Sequence, residues 1–147
     1  MVDFSPSKAT KIICQNPSGH HSMTVHEWGE KDYSDVVLCL HGLTRSALDF
    51  VVLATHLKKD IKVLAPDLVG RGESDWLKNK NFYQISQYIS DINTMLINLN
   101  VKKVNIVGTS LGGLIGILMS SIASGTKLNE ISSVENPFFP GGISSLK

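Results

Sequence analysis

The segment from residue 103 to residue 121 constrains the fold of this chain more than any other part of the sequence. Residues 103–107 are predicted to form a central strand, and they lead directly into Gly-Thr-Ser-Leu-Gly-Gly. An apolar segment of helical character follows, up to about residue 121. A strand that turns into a helix within so few residues is typical of parallel sheets that are covered by helices.

The turn between this strand and this helix has the pattern Gly-x-Ser-x-Gly. For a serine to act as a nucleophile here, a strained backbone must project the Ser110 hydroxyl above the sheet. Gly108 and Gly112 leave room for that turn against the strand and the helix. Leu111 offers its backbone N–H at the start of the helix, where the helix dipole also stabilises an oxyanion. We predict that Ser110 is the catalytic nucleophile, although glycine-rich turns without function can show the same pattern.

The spacing of the glycines excludes two nucleotide-binding sites. A P-loop requires Lys and then Ser or Thr after its second glycine, but Leu114 and Ile115 follow Gly113. A dinucleotide-binding turn requires glycine where this chain has Ser110. We therefore expect no nucleotide cofactor, and the sequence shows no metal-binding motif, so we expect no metal ion.

Upstream of this turn, short apolar runs alternate with amphipathic segments. Strands are predicted at residues 22–28, 36–40 and 61–65, and helices at residues 46–59 and 82–99. Thr44 or Ser46 is able to cap the first helix, Pro66 ends the third strand because it has no N–H, and Asn100 suits the position after the second helix. This alternation implies right-handed crossovers, and hence an α/β fold with a mostly parallel sheet that is flanked by helices.

The residues after the predicted strand 36–40 form a second candidate part of the site. They lie at the carboxyl end of that strand, where ligands bind in open α/β sheets. The backbone N–H of Leu43 is the predicted second oxyanion donor beside that of Leu111. His41, Gly42 and Thr44 are predicted to line the substrate site. His41 could also serve as the catalytic base, but its place on the oxyanion side favours a histidine that braces the loop.

Three blocks of sequence together resemble the α/β-hydrolase family. They are LCLHGLTR at residues 38–45, APDLVGRGESD at residues 65–75 and VGTSLGG at residues 107–113, in that family's order and spacing. The resemblance runs from about residue 20 to about residue 125. It implies a serine hydrolase of the esterase-like or C–C-bond hydrolase branch, since dehalogenases and epoxide hydrolases of this fold have Asp in place of Ser110. It also implies that Asp67 is a structural residue of its turn rather than the triad acid.

The same resemblance implies an acid and then a histidine after the nucleophile. All five histidines (His20, His21, His26, His41 and His56) precede Ser110, and Glu130 and Glu135 are the only acids that follow it. We therefore expect one incomplete domain over residues 1–147 that stops after about the sixth strand, which residues 131–135 would form. Residues 126–147 are otherwise expected to be an irregular tail. A truncated reading frame, an incomplete gene model and an expressed fragment would each account for such a sequence.

Composition limits the partners that this chain can have. Lys and Arg number 14 against 13 Asp and Glu, with no basic stripe, which argues against nucleic acid as a partner. The first residues contain no apolar stretch for a leader or a membrane span, and Cys14 and Cys39 form no CxxC pair. We expect a cytoplasmic protein without a membrane partner, and a buried structural role for Cys39.

The leading functional hypothesis is a hydrolase that acts on an ester or related acyl bond and has little activity of its own. The absence of a histidine after Ser110 is the reason to expect low activity. Its substrate would be a small acyl compound in a small apolar pocket, since Leu43, Thr44 and Leu111 carry no charge. A non-catalytic binding or interaction module and a non-functional remnant are the alternatives. An open sheet edge would favour self-association.

Overall fold

The computed structural model describes residues 1–122 and 130–135, and within them strands and helices alternate from residue 35 onward. The strands are β1 (Lys8–Asn16), β2 (Gly19–Trp28), β3 (Asp35–Leu40), β4 (Lys62–Pro66), β5 (Lys103–Gly108) and β6 (Glu130–Glu135). The helices are α1 (Val51–Leu57), α2 (Ile85–Asn98) and α3 (Leu111–Ile122). The predicted strands and helices are therefore confirmed, with shifted ends. Strand β6 lies inside the segment predicted to be irregular, and the rest of residues 126–147 is outside the described part of the chain.

The strands form one six-stranded sheet in the order β1-β2-β4-β3-β5-β6. Strands β3, β4, β5 and β6 pair in parallel, which confirms the predicted α/β fold class. Strand β2 runs antiparallel to both β1 and β4. Because β3 pairs with β5 in the register Leu40↔Gly108, the segments that follow these two strands leave the sheet side by side.

The first strand has no counterpart in the sequence prediction. It pairs with β2 as a hairpin that closes between Asn16 and Gly19. Only Ile12 and Cys14 point from β1 into the core, while Ile13 between them is 63% exposed. Two buried residues give a weak alternating pattern, and the Asn-Pro-Ser-Gly turn at residues 16–19 was the better signal for a hairpin.

Helices cover both faces of the sheet. Val36, Leu38 and Leu40 pack on one face in a cluster that includes residues of α2 and α3. Val37 and Cys39 point to the opposite face and pack with Phe50 and Ala54 at the start of the α1 region. Strand β3 is thus buried on both faces, as its unbroken apolar run predicts. Cys39 is fully buried, and burial raises the pKa of its thiol to about 12.

Helix ends differ from the predicted ends because short 3₁₀ turns precede the α-helices. Residues Ala47–Phe50 form such a turn before α1, and the Ser46 hydroxyl accepts a hydrogen bond from the Leu48 N–H, so Ser46 rather than Thr44 is the cap. A second 3₁₀ turn, Lys80–Phe82, precedes α2. Asn100 has a φ of 56°, the left-handed conformation expected after a helix end. None of the helices in residues 1–122 is both long and apolar enough to cross a membrane.

Candidate active site

Ser110 lies at the sharp turn between β5 and α3. Its φ is 51°, and the other non-glycine residue with positive φ in the described chain is Asn100, which ends a helix. A non-glycine residue in this region costs about 1–3 kcal/mol, and it persists because the surrounding contacts offset that cost. Helix α3 begins at the next residue, and the Leu114 N–H of its first turn donates to the Ser110 carbonyl over 3.1 Å. The backbone has the strained geometry that the sequence pattern predicts for a nucleophile.

The glycines on either side of Ser110 allow the strand, the turn and the helix to pack closely. A Cβ atom at Gly108 would lie 2.5 Å from the carbonyl carbon of Gly112. A Cβ atom at Gly112 would overlap the carbonyl oxygen of Leu40. Thr109 also donates its N–H to the Leu40 carbonyl over 3.0 Å. The start of α3 is therefore seated directly on the end of β3, and a side chain at either glycine would move it away.

The loop after β3 lies beside this turn. A Cβ atom built on Gly42 would be 3.8 Å from the Ser110 Cβ and 3.7 Å from the Thr109 carbonyl oxygen. The loop continues through a turn in which the Arg45 N–H donates to the Gly42 carbonyl over 3.1 Å. The side chain of Leu43 in this turn is 58% exposed. The structure thus brings the two predicted halves of the site, residues 41–44 and 108–112, to the same end of the sheet.

His41 is fully buried behind the loop and braces it. Its Nε2 accepts a hydrogen bond from the Leu68 N–H over 3.0 Å, so the proton is on Nδ1, which donates to the Gly42 carbonyl over 2.7 Å. Burial lowers the pKa of the ring, which keeps it neutral. Both nitrogens are engaged with the main chain, and the ring has no exposed surface for the substrate contact that the sequence predicted. This geometry fits the bracing role and not that of a base.

Arg71 is a residue of this region that sequence reasoning missed. Its Nε donates to the Leu43 carbonyl over 2.9 Å, and its Nη1 donates to the Val69 carbonyl over 2.8 Å and to the Tyr88 hydroxyl over 2.9 Å. The guanidinium thereby fixes the peptide group that follows the predicted oxyanion donor Leu43. The only signal in the sequence was an arginine between two glycines, in the block at residues 65–75.

A groove of about 720 Å³ borders the loop, and we call it the loop groove. It is lined by Leu43, Thr44, Arg45, Ser46, Leu48, Asp49, Gly70, Arg71 and Gly72. Arg45 forms a bidentate ion pair with Asp49, at 2.9 and 2.7 Å. We predicted a small apolar pocket from the uncharged residues Leu43, Thr44 and Leu111. The groove beside Leu43 and Thr44 is instead bordered by charged side chains from the segments that follow.

Asp67 is structural, as the resemblance implied. Its carboxylate accepts hydrogen bonds from the Ala47 N–H at 2.9 Å, the Glu73 N–H at 3.0 Å and the His26 Nε2 at 2.9 Å. Burial raises the pKa of Asp67, but these bonds outweigh burial, and the pKa is lowered overall. The carboxylate therefore holds the turn after β4 against β2 and against the start of the α1 region.

Two clusters in the described residues bring potential metal ligands within 4.8 Å of one another. One consists of Cys14, His21 and Asp91, and the other of His26, Asp67 and Glu73. In the first cluster, His21 Nε2 lies 2.7 Å from the Asp91 carboxylate, which also accepts a bond from Gln87 over 2.7 Å. Burial raises the pKa of the Cys14 thiol to about 12, which disfavours the thiolate that a metal requires. Both clusters are consistent with hydrogen-bond networks that tie β2 to its neighbours.

Comparison with known proteins identifies relatives of this arrangement. Residues 35–141 match the family described as alpha/beta hydrolase fold. A 3-hydroxybutyrate-oligomer hydrolase of Cupriavidus necator is 46% identical over 111 residues, which are 76% of this chain and 38% of that protein. A putative 2-succinyl-6-hydroxy-2,4-cyclohexadiene-1-carboxylate synthase of Bacillus subtilis is 34% identical over 80 residues, which are 54% of this chain and 29% of that protein.

Solved structures of two hydrolases also superimpose on this chain. An alpha/beta hydrolase from Novosphingobium aromaticivorans superimposes with a TM-score of 0.71 at 33% identity, covering 84% of this chain and 42% of that one. A putative hydrolase from Rickettsia typhi superimposes with a TM-score of 0.74 at 29% identity, covering 84% of this chain and 46% of that one. The chain thus spans less than half the length of these four relatives. It belongs to the α/β-hydrolase fold family.

Proposed function

We propose that this chain carries the nucleophile and the oxyanion hole of a serine hydrolase that cleaves an ester or related acyl bond. The observation that carries the proposal is the φ of 51° at Ser110, on a turn packed so closely that Gly108 and Gly112 have no room for a side chain. Strained backbone of this kind clusters at active sites, and unlike Asn100, Ser110 does not follow the end of a helix. The family to which the chain belongs supports a hydrolase in general, and Ser110 supports the serine-dependent kind.

In the proposed reaction, the Ser110 oxygen attacks the acyl carbon, and the carbonyl oxygen becomes negatively charged. The N–H groups of Leu43 and Leu111 stabilise that charge, with help from the N-terminus of α3. His41 and Arg71 position the loop by holding the carbonyls of Gly42 and Leu43. The proton of the serine hydroxyl must pass to a base as the bond to carbon forms.

The step that this chain supports least is the transfer of the serine proton to a base. No histidine follows Ser110 in the sequence, and His41, on the neighbouring loop, has both ring nitrogens bonded to the main chain. An oxyanion hole without a base retains modest catalysis over water in serine hydrolases. We therefore propose that the chain with this sequence turns over activated esters slowly.

The substrate class follows from the relative with the highest sequence identity among those described above. That protein is named for its action on 3-hydroxybutyrate oligomers, and 76% of this chain matches it at 46% identity. Hydroxyacid oligomers are joined by ester bonds, which is the chemistry that a serine nucleophile cleaves. We propose linear hydroxyacid esters as the substrates of this site.

Labelling with a fluorophosphonate probe tests the nucleophile directly. We expect slow formation of one adduct, which mass spectrometry of peptides assigns to Ser110, because the probe requires an activated serine beside an oxyanion hole. The S110A variant should give no adduct, and the matched control S90A, which removes an exposed serine of α2, should be labelled like the original chain. Failure of Ser110 to react faster than Ser90 would refute the proposal.

Rapid ester hydrolysis with a bell-shaped pH profile would refute the slow turnover that we propose. It would show that one of the upstream histidines acts as a base. The variants of the five histidines would then identify it.

A further inference from the structure

The guanidinium of Arg71 is half-buried and is held by uncharged groups alone. Besides its bonds to two carbonyls and to the Tyr88 hydroxyl, it lies 5.0 Å from the centre of the Tyr88 ring and 5.9 Å from that of Tyr83. In residues 1–122, no carboxylate lies within ion-pair distance of it. A partly buried charge without a counterion favours the binding of an anion.

One end of this guanidinium remains available for such an anion. Nε and Nη1 make all three of its hydrogen bonds, and Nη2 has no protein partner within the described residues. Because the guanidinium is planar and fixed by five contacts, its remaining N–H groups point in a set direction. A cation that is oriented before binding loses little entropy when a ligand arrives.

A second groove, of about 450 Å³, is also lined by Arg71, and we call it the lysine groove. Its lining comprises Gly70, Arg71, Trp76, Leu77, Lys78, Lys80 and Tyr83. Three of these side chains are cationic and none is acidic, so the groove is positively charged. Trp76, which is 75% exposed, supplies an apolar wall on the surface.

The two grooves share the lining residues Gly70 and Arg71, and we call the two together the cleft. One end of the cleft lies at Leu43 and Thr44, beside the proposed oxyanion hole. The other end lies at Lys78 and Lys80. A ligand long enough to span both grooves would meet Leu43 and Thr44 at one end and the cations Arg71, Lys78 and Lys80 at the other.

We infer that this cleft binds the free carboxylate of a linear hydroxyacid oligomer, with Arg71 as the fixed partner and Lys78 and Lys80 as exposed partners. The inference rests on the proposed function, because the cleft ends at the loop that carries Leu43. Such an oligomer has one free carboxylate and a series of ester carbonyls. Binding of its carboxylate at Arg71 would set which ester bond reaches Ser110.

Equilibrium binding tests this inference without turnover. The S110A chain is titrated with a linear trimer of 3-hydroxybutyrate and with the methyl ester of the same trimer. Tryptophan emission reports binding, because Trp76 lines the cleft and Trp28, the other tryptophan, is fully buried. We expect the free acid to bind about tenfold more tightly than the methyl ester, as for a hydrogen bond between charged groups.

Variants assign this preference to the cleft. The change R71Q should abolish the preference for the acid. Because Arg71 also holds the loop carbonyls, the double variant K78Q/K80Q provides a second test at two exposed positions, and it should weaken binding of the acid about threefold while leaving the ester unchanged. The matched control K59Q removes an exposed lysine outside the cleft and should change neither affinity.

The outcomes separate this inference from the proposed function. Equal affinity for the acid and the methyl ester would overturn the inference, as would a preference that survives both R71Q and K78Q/K80Q. If Ser110 reacts with the fluorophosphonate probe but the acid is not preferred, the inference alone fails. If the acid is preferred in an Arg71-dependent way but Ser110 does not react, the cleft is a carboxylate site and the serine hydrolase proposal fails.

Discussion

Among single residues, His26 and Asp67 show how a buried charge is stabilised near the candidate site. The Asp67 carboxylate meets donors from three parts of the chain, and its partner His26 lies 41 residues upstream. Glu73, whose carboxylate lies 3.8 Å from His26 Nε2, adds a second negative charge. The hydrogen bond to Asp67 raises the pKa of His26, followed in effect by burial, which lowers it, and by the two negative charges, which raise it.

These shifts predict how stability depends on pH. The pKa of His26 is higher in the folded chain, so its contribution is full below the unfolded value of about 6.5 and is lost as the pH rises through the folded pKa. The pKa of Asp67 is lower in the folded chain, so its contribution is present above about pH 3.9 and is lost as the pH falls through the folded value. The pair therefore stabilises the fold most between about pH 4 and pH 6.5.

We predict that H26Q lowers the free energy of unfolding by about 1 kcal/mol at pH 6 and by less at pH 9. Urea unfolding of both chains at the two pH values measures the difference. The control H56Q replaces an exposed histidine of α1 whose Nδ1 lies 2.8 Å from the Val52 carbonyl oxygen, and at pH 6 it should lower the free energy of unfolding by less than H26Q does. An effect of H26Q that is the same at pH 6 and pH 9 would contradict the assigned ion pair.

At the scale of helices and strands, an element could be predicted from the sequence when many of its residues are buried. Strands β3 and β4 contain short buried apolar runs, β5 leads directly into the Gly-x-Ser-x-Gly turn, and all three were predicted. Strand β1 has two buried apolar residues and was missed. The turn at Ser110 was predicted because its geometry demands glycine at fixed positions. The contact of Arg71 with Leu43 joins residues 28 apart in the chain, and no local pattern encodes it.

The close packing of α3 against the end of β3 leads to a prediction about stability. The change G112A places a methyl group in overlap with the Leu40 carbonyl oxygen and should destabilise the chain by about 3 kcal/mol, because the clash is with backbone and not with the end of a flexible side chain. The matched control G42A adds a methyl group whose closest contact is 3.6 Å, an ordinary van der Waals distance. Thermal or urea unfolding of the two variants gives the comparison. Equal stability of G112A and G42A would show that the contact is not as rigid as the structure indicates.

In the whole molecule, the two edges of the described sheet differ. Strand β1 forms one edge and carries the exposed residues Lys8 and Lys11, and charged side chains of this kind protect an edge from pairing with another chain. Strand β6 forms the other edge of the described sheet, where it pairs with β5. Among residues 1–122 and 130–135 no strand pairs with the other side of β6, and an unpaired strand edge is a template for pairing between molecules.

We predict that the chain self-associates through β6. Light scattering coupled to size-exclusion chromatography should show a mass that rises with protein concentration. Hydrogen exchange should then slow at the amides of β6 with rising concentration, while the amides of β1 serve as the internal control and do not change. A monomeric mass at every concentration would refute this prediction.

The position of β3 in the sheet has a consequence for how the chain folds while it is being synthesised. Strand β3 is third in the sequence, yet one of its two neighbours is β5, which ends at Gly108. At about 5–20 residues per second, a ribosome needs several seconds to add residues 41–102, which lie between the two strands. During that interval the edge of β3 that later pairs with β5 has no partner strand. Nascent chains of this protein would therefore pass through a stage at which β3 pairs with β4 but not yet with β5.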